Sequence, residues 1–150
     1  MEAQSIIISN ESELILFGAS FVKNYKGGDI ILLKGDLGAG KTTITKGFAK
    51  GLGVKEVVKS PTFTYMQIYE TTNHPDVEHM IHIDTYRAKN TEQLQDIGVG
   101  EYILDNKNIS IIEWPEKIYP LIKDKPYTEI SIEHTPDNKR RITTKHRNKK

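Results

Sequence analysis

The chain has 150 residues, of which 27% are charged and 37% hydrophobic, and this length suits one domain, residues 1–150, with a single hydrophobic core. No cysteine occurs, which excludes disulfides and thiolate zinc sites and favours a reducing, cytoplasmic location. Neither a signal segment nor a run near the ~20 apolar residues of a membrane span is visible, so we expect no membrane association.

The first elements alternate between strand and helix. "SIIIS", residues 5–9, is β-branched and predicts a short strand. Residues 10–25, "NESELILFGASFVKNY", begin with Asn10 and Glu13 at capping-box spacing and continue with apolar residues at helical intervals, which predicts an amphipathic helix that ends at Gly27 and Gly28. "DIILLK", residues 29–34, is apolar without alternation, as is typical of a strand covered on both faces in a parallel sheet.

A glycine-rich segment follows this strand directly and matches the pattern G-x-x-x-x-G-K-[S/T] in full. Its glycines allow backbone N–H groups to surround phosphate groups, Lys41 adds a cation, and Thr42 offers a hydroxyl to Mg²⁺. The helix predicted next, residues 41–53, directs the positive end of its dipole at the same anions. Thr43 either supports the loop or only begins this helix. The predicted nucleotide-binding residues are Gly35, Asp36, Leu37, Gly38, Ala39, Gly40, Lys41 and Thr42.

The segment "KSPTFTY", residues 59–65, lies between that helix and the next strand. Nucleotide switches often keep a threonine there that senses the γ-phosphate and the metal. Thr62 is therefore a candidate sensor, and the alternative is a proline turn that enters a strand. Residues 63–70 and 79–84 then read as two strands joined by the turn-rich "TTNHPD", which predicts a hairpin.

Two carboxylates close predicted strands. Asp84 ends "HMIHID", and Glu113 lies at the end of "NISIIEW", residues 108–114. The carboxyl ends of parallel strands form the ligand crevice of an open α/β sheet. One of these acids would face Mg²⁺ and the other the attacking water, and the spacing does not decide which. Between them, residues 90–105 are predicted to be helical with a break near residues 98–100, and residues 115–122 to form a short helix.

Two more side chains near these acids remain ambiguous. Arg87 either contacts phosphate or a partner or forms a surface ion pair, and Trp114 packs into the core, under the site or at a partner surface. The segment "DNKN" lacks the aspartate of a guanine-reading N-K-x-D motif, since Ile109 stands there. We therefore expect ATP rather than GTP.

The C-terminal residues predict a hairpin and a basic end. "YTEISIEH", the turn "TPDN" and "KRRITTKH" are the predicted strands and turn, with a free tail from about residue 145 to 150. Seven of the 21 basic residues lie from Lys139 onward, where no acid occurs, so residues 1–138 carry 14 basic and 20 acidic side chains. Taken together, the elements predict an α/β fold of the P-loop NTPase type, with a mainly parallel sheet flanked by helices, antiparallel additions and a C-terminal hairpin.

The segments "GDLGAGKTT", "SPTFTY", "HIDTYR" and "IEWPEK", in this order, resemble the TsaE family, the small bacterial P-loop ATPases of tRNA threonylcarbamoyladenosine biosynthesis. The resemblance runs from about residue 28 to about residue 115 and weakens through the terminal hairpin. A P-loop alone is shared by many NTPases, whereas the four segments together are specific.

The resemblance implies roles for the candidate residues. Lys41 and Thr42 would bind phosphate and Mg²⁺, and Glu113 would be the metal-coordinating carboxylate, with Asp84 as the other active-site acid. Trp114 would be a functional residue beside the metal ligand. Thr43 would be a functional neighbour of the loop, and Thr62 would belong to a segment that responds to nucleotide.

The resemblance also implies partners. Family members bind the TsaD and TsaB proteins, which transfer a threonylcarbamoyl group to the adenosine 3′ of the anticodon. They use ATP binding and hydrolysis to let that complex turn over repeatedly, and they are not the transferase. We accordingly expect a slow, Mg²⁺-dependent ATPase that acts as a nucleotide switch. The basic C-terminal end either contacts tRNA directly or is a solvated charged segment.

Two other functions are compatible with a P-loop. A small-molecule kinase would need an arginine-bearing lid and an acceptor pocket, but residues 91–108 contain no arginine. A non-catalytic, ATP-gated scaffold would use Asp84 and Glu113 only to hold the metal.

Overall fold

The computed structural model describes residues 3–36, 38–61, 64–72 and 74–148. In these ranges the strands are β1 (Ala3–Ile8), β2 (Ile30–Lys34), β3 (Met66–Glu70), β4 (His79–Asp84), β5 (Asn108–Glu113), β6 (Tyr127–His134) and β7 (Arg140–Arg147). The helices are α1 (Glu11–Val22), α2 (Lys41–Gly51), α3 (Thr91–Asp96), α4 (Val99–Leu104) and α5 (Tyr119–Ile122), with a 3₁₀ turn at Pro115–Lys117. None of the helices within these ranges is both long and apolar enough to cross a membrane.

All seven strands form one sheet in the order β1-β7-β6-β2-β5-β4-β3. The four central strands, β6, β2, β5 and β4, run parallel, while β3 pairs antiparallel with β4, and β7 pairs antiparallel with both β6 and β1. This topology confirms the predicted α/β fold with a mainly parallel sheet, antiparallel additions and a C-terminal hairpin. In the β4–β5 pair, Asp84 is the register partner of Glu113.

Helices cover both faces of the sheet, and each face has its own hydrophobic core. On one face, α1 and α2 pack against apolar residues such as Leu33 and Ile111. On the other face, residues of α3, α4 and α5 pack against Leu32 and Ile112. Every residue of β5 is buried, and because successive side chains of a strand alternate between faces, Glu113 shares the α1 and α2 face with Ile111.

Helices α1 and α2 approach each other closely through glycine. A Cβ atom on Gly47 would lie 2.4 Å from the carbonyl oxygen of Ile15, and one on Gly18 would lie 2.7 Å from that of Ile44. Any side chain at these positions would therefore push the helices apart. This contact fixes the position of α2 relative to α1, and with it the first turn of α2, which follows the glycine-rich loop.

Several boundaries differ from the prediction. Strand β1 covers Ala3–Ile8 rather than residues 5–9, helix α2 covers Lys41–Gly51 rather than 41–53, and β3 covers Met66–Glu70 rather than 63–70. Helix α1 ends at Val22, whereas the prediction extended it to residue 25. The apolar pattern continues to Tyr25 because this side chain packs on Phe21 from beyond the helix end, with 5.0 Å between ring centroids. Strand β7 extends through Arg147, where the tail was expected to begin near residue 145, because Arg147 pairs with Tyr127 of β6. The predicted helix over residues 115–122 divides into the 3₁₀ turn and α5.

Candidate nucleotide site

The glycine-rich loop connects the carboxyl end of β2 to the first turn of α2. Gly35 has φ of 155°, and a Cβ atom there would lie 2.7 Å from the carbonyl oxygen of Ile132 in β6, so the loop passes too close to β6 for a side chain. Farther along, the Ala39 N–H donates to the Asp36 carbonyl at 3.0 Å. Leu37, the remaining predicted loop residue, lies outside the described residues.

The last strand also contacts this loop. The Arg140 guanidinium in β7 donates through Nε to the Ala39 carbonyl at 2.9 Å, although the two residues are 101 positions apart in the chain. Ala39 itself is buried. A basic side chain from the C-terminal hairpin therefore holds the backbone of the loop in place.

Lys41, the first residue of α2, lies inside the site rather than in solvent. The residue is only 5% exposed. Its Nζ donates to the Gly35 carbonyl at 2.6 Å and lies 3.5 Å from the centroid of the Trp114 ring. Burial lowers the pKa of Lys41, and the negative charges of Glu113 and Asp84 act in the opposite direction. The ammonium is thus desolvated and aimed across the loop.

The two predicted acids lie side by side but in different surroundings. Asp84 is half-buried and accepts hydrogen bonds from the Tyr86 N–H at 3.0 Å and from the Ser60 hydroxyl at 3.3 Å. Glu113 is buried, with 3% of its surface exposed, and its Oε2 lies 2.6 Å from Nε2 of His82. One acid is therefore held near the opening and the other inside the site.

Trp114 lies in the site and not in either hydrophobic core. Its backbone is left-handed, with φ of 56°, and its carbonyl accepts a hydrogen bond from the Thr85 hydroxyl. The indole ring contacts the ring of Tyr86, with 4.9 Å between centroids, and covers the Lys41 ammonium. Of the open interpretations of Trp114, the structure favours a place in the site.

These residues share one cleft with a volume of about 390 Å³. The predicted side chains that line it are Lys41, Thr42, Thr43, Asp84, Glu113 and Trp114. Thr62, the proposed sensor, lies outside the described residues, but its neighbour Ser60 also lines the cleft.

Sequence analysis missed or left open several residues of this site. Arg87, whose role was ambiguous, lines the cleft together with Tyr86. His82 was not selected, although the alternation of side chains along β4 places it on the same face as Asp84. Arg140 could not have been found, since its partner in the loop is distant in sequence.

The donor atoms in the cleft fit a magnesium ion bound together with a polyphosphate. They are the Thr42 hydroxyl and the carboxylates of Asp84 and Glu113, and Mg²⁺ takes oxygen ligands, usually one or two carboxylates with substrate phosphates and water. Lys41 supplies the positive charge that a β- or γ-phosphate requires.

Known proteins resemble this chain in sequence and in fold. The profile of the family described as "Threonylcarbamoyl adenosine biosynthesis protein TsaE" matches residues 8–142, a range that contains the whole cleft. The tRNA threonylcarbamoyladenosine biosynthesis protein TsaE of Bacillus subtilis is 39% identical over 118 residues, which cover 79% of this chain and 70% of that protein. The protein of the same name from Rickettsia typhi is 37% identical over 142 residues, which cover 94% of each chain. Among solved structures, Bacillus subtilis YdiB superimposes with a TM-score of 0.75 at 30% identity and covers 95% of this chain and 84% of that chain.

Proposed function

Since the chain belongs to the TsaE family of tRNA threonylcarbamoyladenosine biosynthesis proteins, we propose that it binds ATP with Mg²⁺ in the cleft and hydrolyses it. The observation that carries this proposal is the convergence of Lys41, Thr42, Asp84 and Glu113 on one cavity. A phosphate-binding lysine, a hydroxyl and two acids are the groups that a P-loop ATPase needs.

The proposed roles follow from the surroundings of each group. Lys41 binds the β- and γ-phosphates after its Nζ leaves the Gly35 carbonyl, because a bound anion competes for the same ammonium. Thr42 and Glu113 hold Mg²⁺, which supplies charge neutralisation at the phosphates. Asp84 lies nearer the opening and orients the attacking water through its carboxylate.

A second cavity supports a place for the nucleoside. Its volume is about 250 Å³, and it borders the other side of the loop, between the start of α1 and the β6–β7 hairpin. Gly38, Gly40 and Thr43 line both cavities, while Asn10 and Arg140 line only the second. We propose that the triphosphate occupies the cleft and that the ribose and base extend past Thr43 into this cavity.

The biological output that we propose is a nucleotide switch on a complex of TsaD and TsaB proteins. Only contacts that differ between the ATP and ADP states can drive such a cycle. The Trp114 ring lies over Lys41 and contacts the tilted ring of Tyr86, which is 52% exposed. A movement of Lys41 toward phosphate would therefore change a surface that a partner can contact. We expect slow hydrolysis by the protein alone, because fast hydrolysis in P-loop NTPases needs an arginine that stabilises the transition state, often supplied by a partner. Among the described residues, Arg87 is the one arginine that lines the cleft.

The test is to follow the label of γ-phosphate-labelled ATP with the protein alone and then with TsaD, TsaB and tRNA. We expect free phosphate whose release rises with the partners and disappears in the Lys41→Ala variant. Lys46→Ala is a matched control, because Lys46 lies on the exposed side of the same helix and does not line the cleft. Transfer of the label to a small acceptor would instead indicate a kinase, and partner stimulation that survives Glu113→Gln would indicate a scaffold.

A further inference from the structure

We infer that His82 is a positioning residue that orients the Glu113 carboxylate to coordinate Mg²⁺ in the cleft. This inference rests on the proposed function, because it takes Glu113 to be a ligand of Mg²⁺. His82 lies in β4 and is 0% exposed, and its Nε2 is 2.6 Å from Oε2 of Glu113 in the neighbouring strand. Alternation along β4 and β5 places both side chains on the face that carries α2.

The position of His82 is costly for the fold alone. A buried polar group destabilises a protein unless it is hydrogen-bonded, and Nδ1 of His82 has no hydrogen-bond partner within the described part of the chain. The neighbouring residue of β4 on the same face is Met80, which is fully buried and apolar and belongs to the core under α1 and α2. An apolar residue would satisfy this position better, so the bond to Glu113 is the feature that distinguishes histidine here.

That bond leaves one carboxylate oxygen for chemistry. The imidazole N–H at Nε2 donates to Oε2, which leaves Oε1 to coordinate a metal ion in the cleft that Glu113 lines. A carboxylate with one oxygen fixed loses less rotational freedom when a metal binds, and groups that orient metal ligands typically change metal affinity or activity by about 10–100-fold when they are mutated. Asp84 is held by other donors, the Tyr86 N–H and the Ser60 hydroxyl, so the two acids are positioned independently.

The test compares three substitutions of His82 with matched shapes. In His82→Gln, the side-chain nitrogen can occupy the place of Nε2, because both nitrogens are separated from Cα by the same number of bonds. The amide of His82→Asn is one bond shorter and cannot reach Glu113. His82→Leu removes the donor and keeps an apolar side chain. Three quantities are measured for each: the temperature of unfolding, the affinity for ADP in EDTA, and the affinity for Mn²⁺ of the ADP complex by electron paramagnetic resonance.

We expect His82→Leu and His82→Asn to weaken Mn²⁺ binding by about 10–100-fold, with metal-free ADP affinity within about twofold of wild type and His82→Gln close to wild type. In a Glu113→Gln background, His82→Leu should cause no further loss, because its effect passes through Glu113. The inference is overturned if Mn²⁺ affinity is unchanged in a folded His82→Leu variant, or if metal-free and metal-dependent affinities fall together in all three variants, which would mean a structural role.

The wild-type protein separates this inference from the proposed function. If Mn²⁺ fails to bind the wild-type ADP complex, both the metal role of Glu113 and the role of His82 are wrong. If Mn²⁺ binds the wild type and the three variants equally, only the role of His82 is wrong.

Discussion

The bond between Arg140 and the Ala39 carbonyl predicts that the last strand stabilises the glycine-rich loop. Arg140→Ala removes the donor, so the carbonyl of Ala39, a residue that is only 1% exposed, loses this hydrogen bond. A hydrogen bond to a charged group contributes ~1.5–3 kcal/mol, and 1 kcal/mol corresponds to about 2–4 °C in Tm for a domain of this size. We therefore expect the nucleotide-free variant to unfold about 3–12 °C lower than wild type.

Arg141→Ala is the control for this change. Arg141 is the adjacent residue of β7 and is exposed, so its substitution removes the same charge without affecting the loop and should change stability by less than ~0.5 kcal/mol. Thermal unfolding by circular dichroism measures both variants, and calorimetry measures their affinity for ADP. We expect only Arg140→Ala to weaken ADP binding. Equal losses of Tm in the two variants would refute the reasoning, because the effect would then come from charge and not from the hydrogen bond.

Three further predictions concern the cleft. Asp84→Asn should slow phosphate release by about 10²-fold and leave the Mn²⁺ affinity of the ADP complex nearly unchanged. Glu113→Gln should lower that Mn²⁺ affinity. The reverse pattern would mean that Asp84 holds the metal and Glu113 orients the water. Trp114 is the single tryptophan, so ADP with Mg²⁺ should change the intrinsic fluorescence as Lys41 leaves its ring, and a Lys41→Met variant should show no response. Burial lowers the pKa of Lys41, so between that lowered value and the ordinary 10.5 the unfolded chain binds a proton that the folded chain has lost. The contribution of Lys41 to the free energy of unfolding therefore rises with pH. The difference in free energy of unfolding between wild type and Lys41→Met, measured by urea titrations, should accordingly shift in favour of wild type across the alkaline range.

Local patterns in the sequence were sufficient for much of the fold. The glycine-rich loop could be predicted because its residues are contiguous, and the strand before it and the helix after it have distinct periodicities. The placement of Asp84 and Glu113 at one edge of the sheet was also predictable, since the carboxyl ends of parallel strands meet there. Their direct pairing comes from the adjacency and register of β4 and β5 in the structure.

Contacts that depend on strand order were not predictable. The pairing of His82 with Glu113 requires β4 and β5 to be adjacent, and no local pattern specifies that adjacency. The place of Trp114 depends on a left-handed backbone, with φ of 56°, at a residue type that rarely adopts it. For α1, the periodicity overstated the length, because Tyr25 remains packed beyond the helix end.

The order of the strands has a consequence for how the chain folds. β2, which leads into the glycine-rich loop, has β6 as one of its two neighbours, and β1 pairs with β7, so the earliest strands are completed by the latest. During synthesis, β2 therefore has an open edge until residues 127–134 are available, and β1 lacks its partner until residues 140–147 follow. Such open edges are prone to aggregation. Contacts between distant parts of a chain also form slowly. We expect a nascent chain to acquire its nucleotide site late and in one cooperative step, rather than as a small subdomain around the loop.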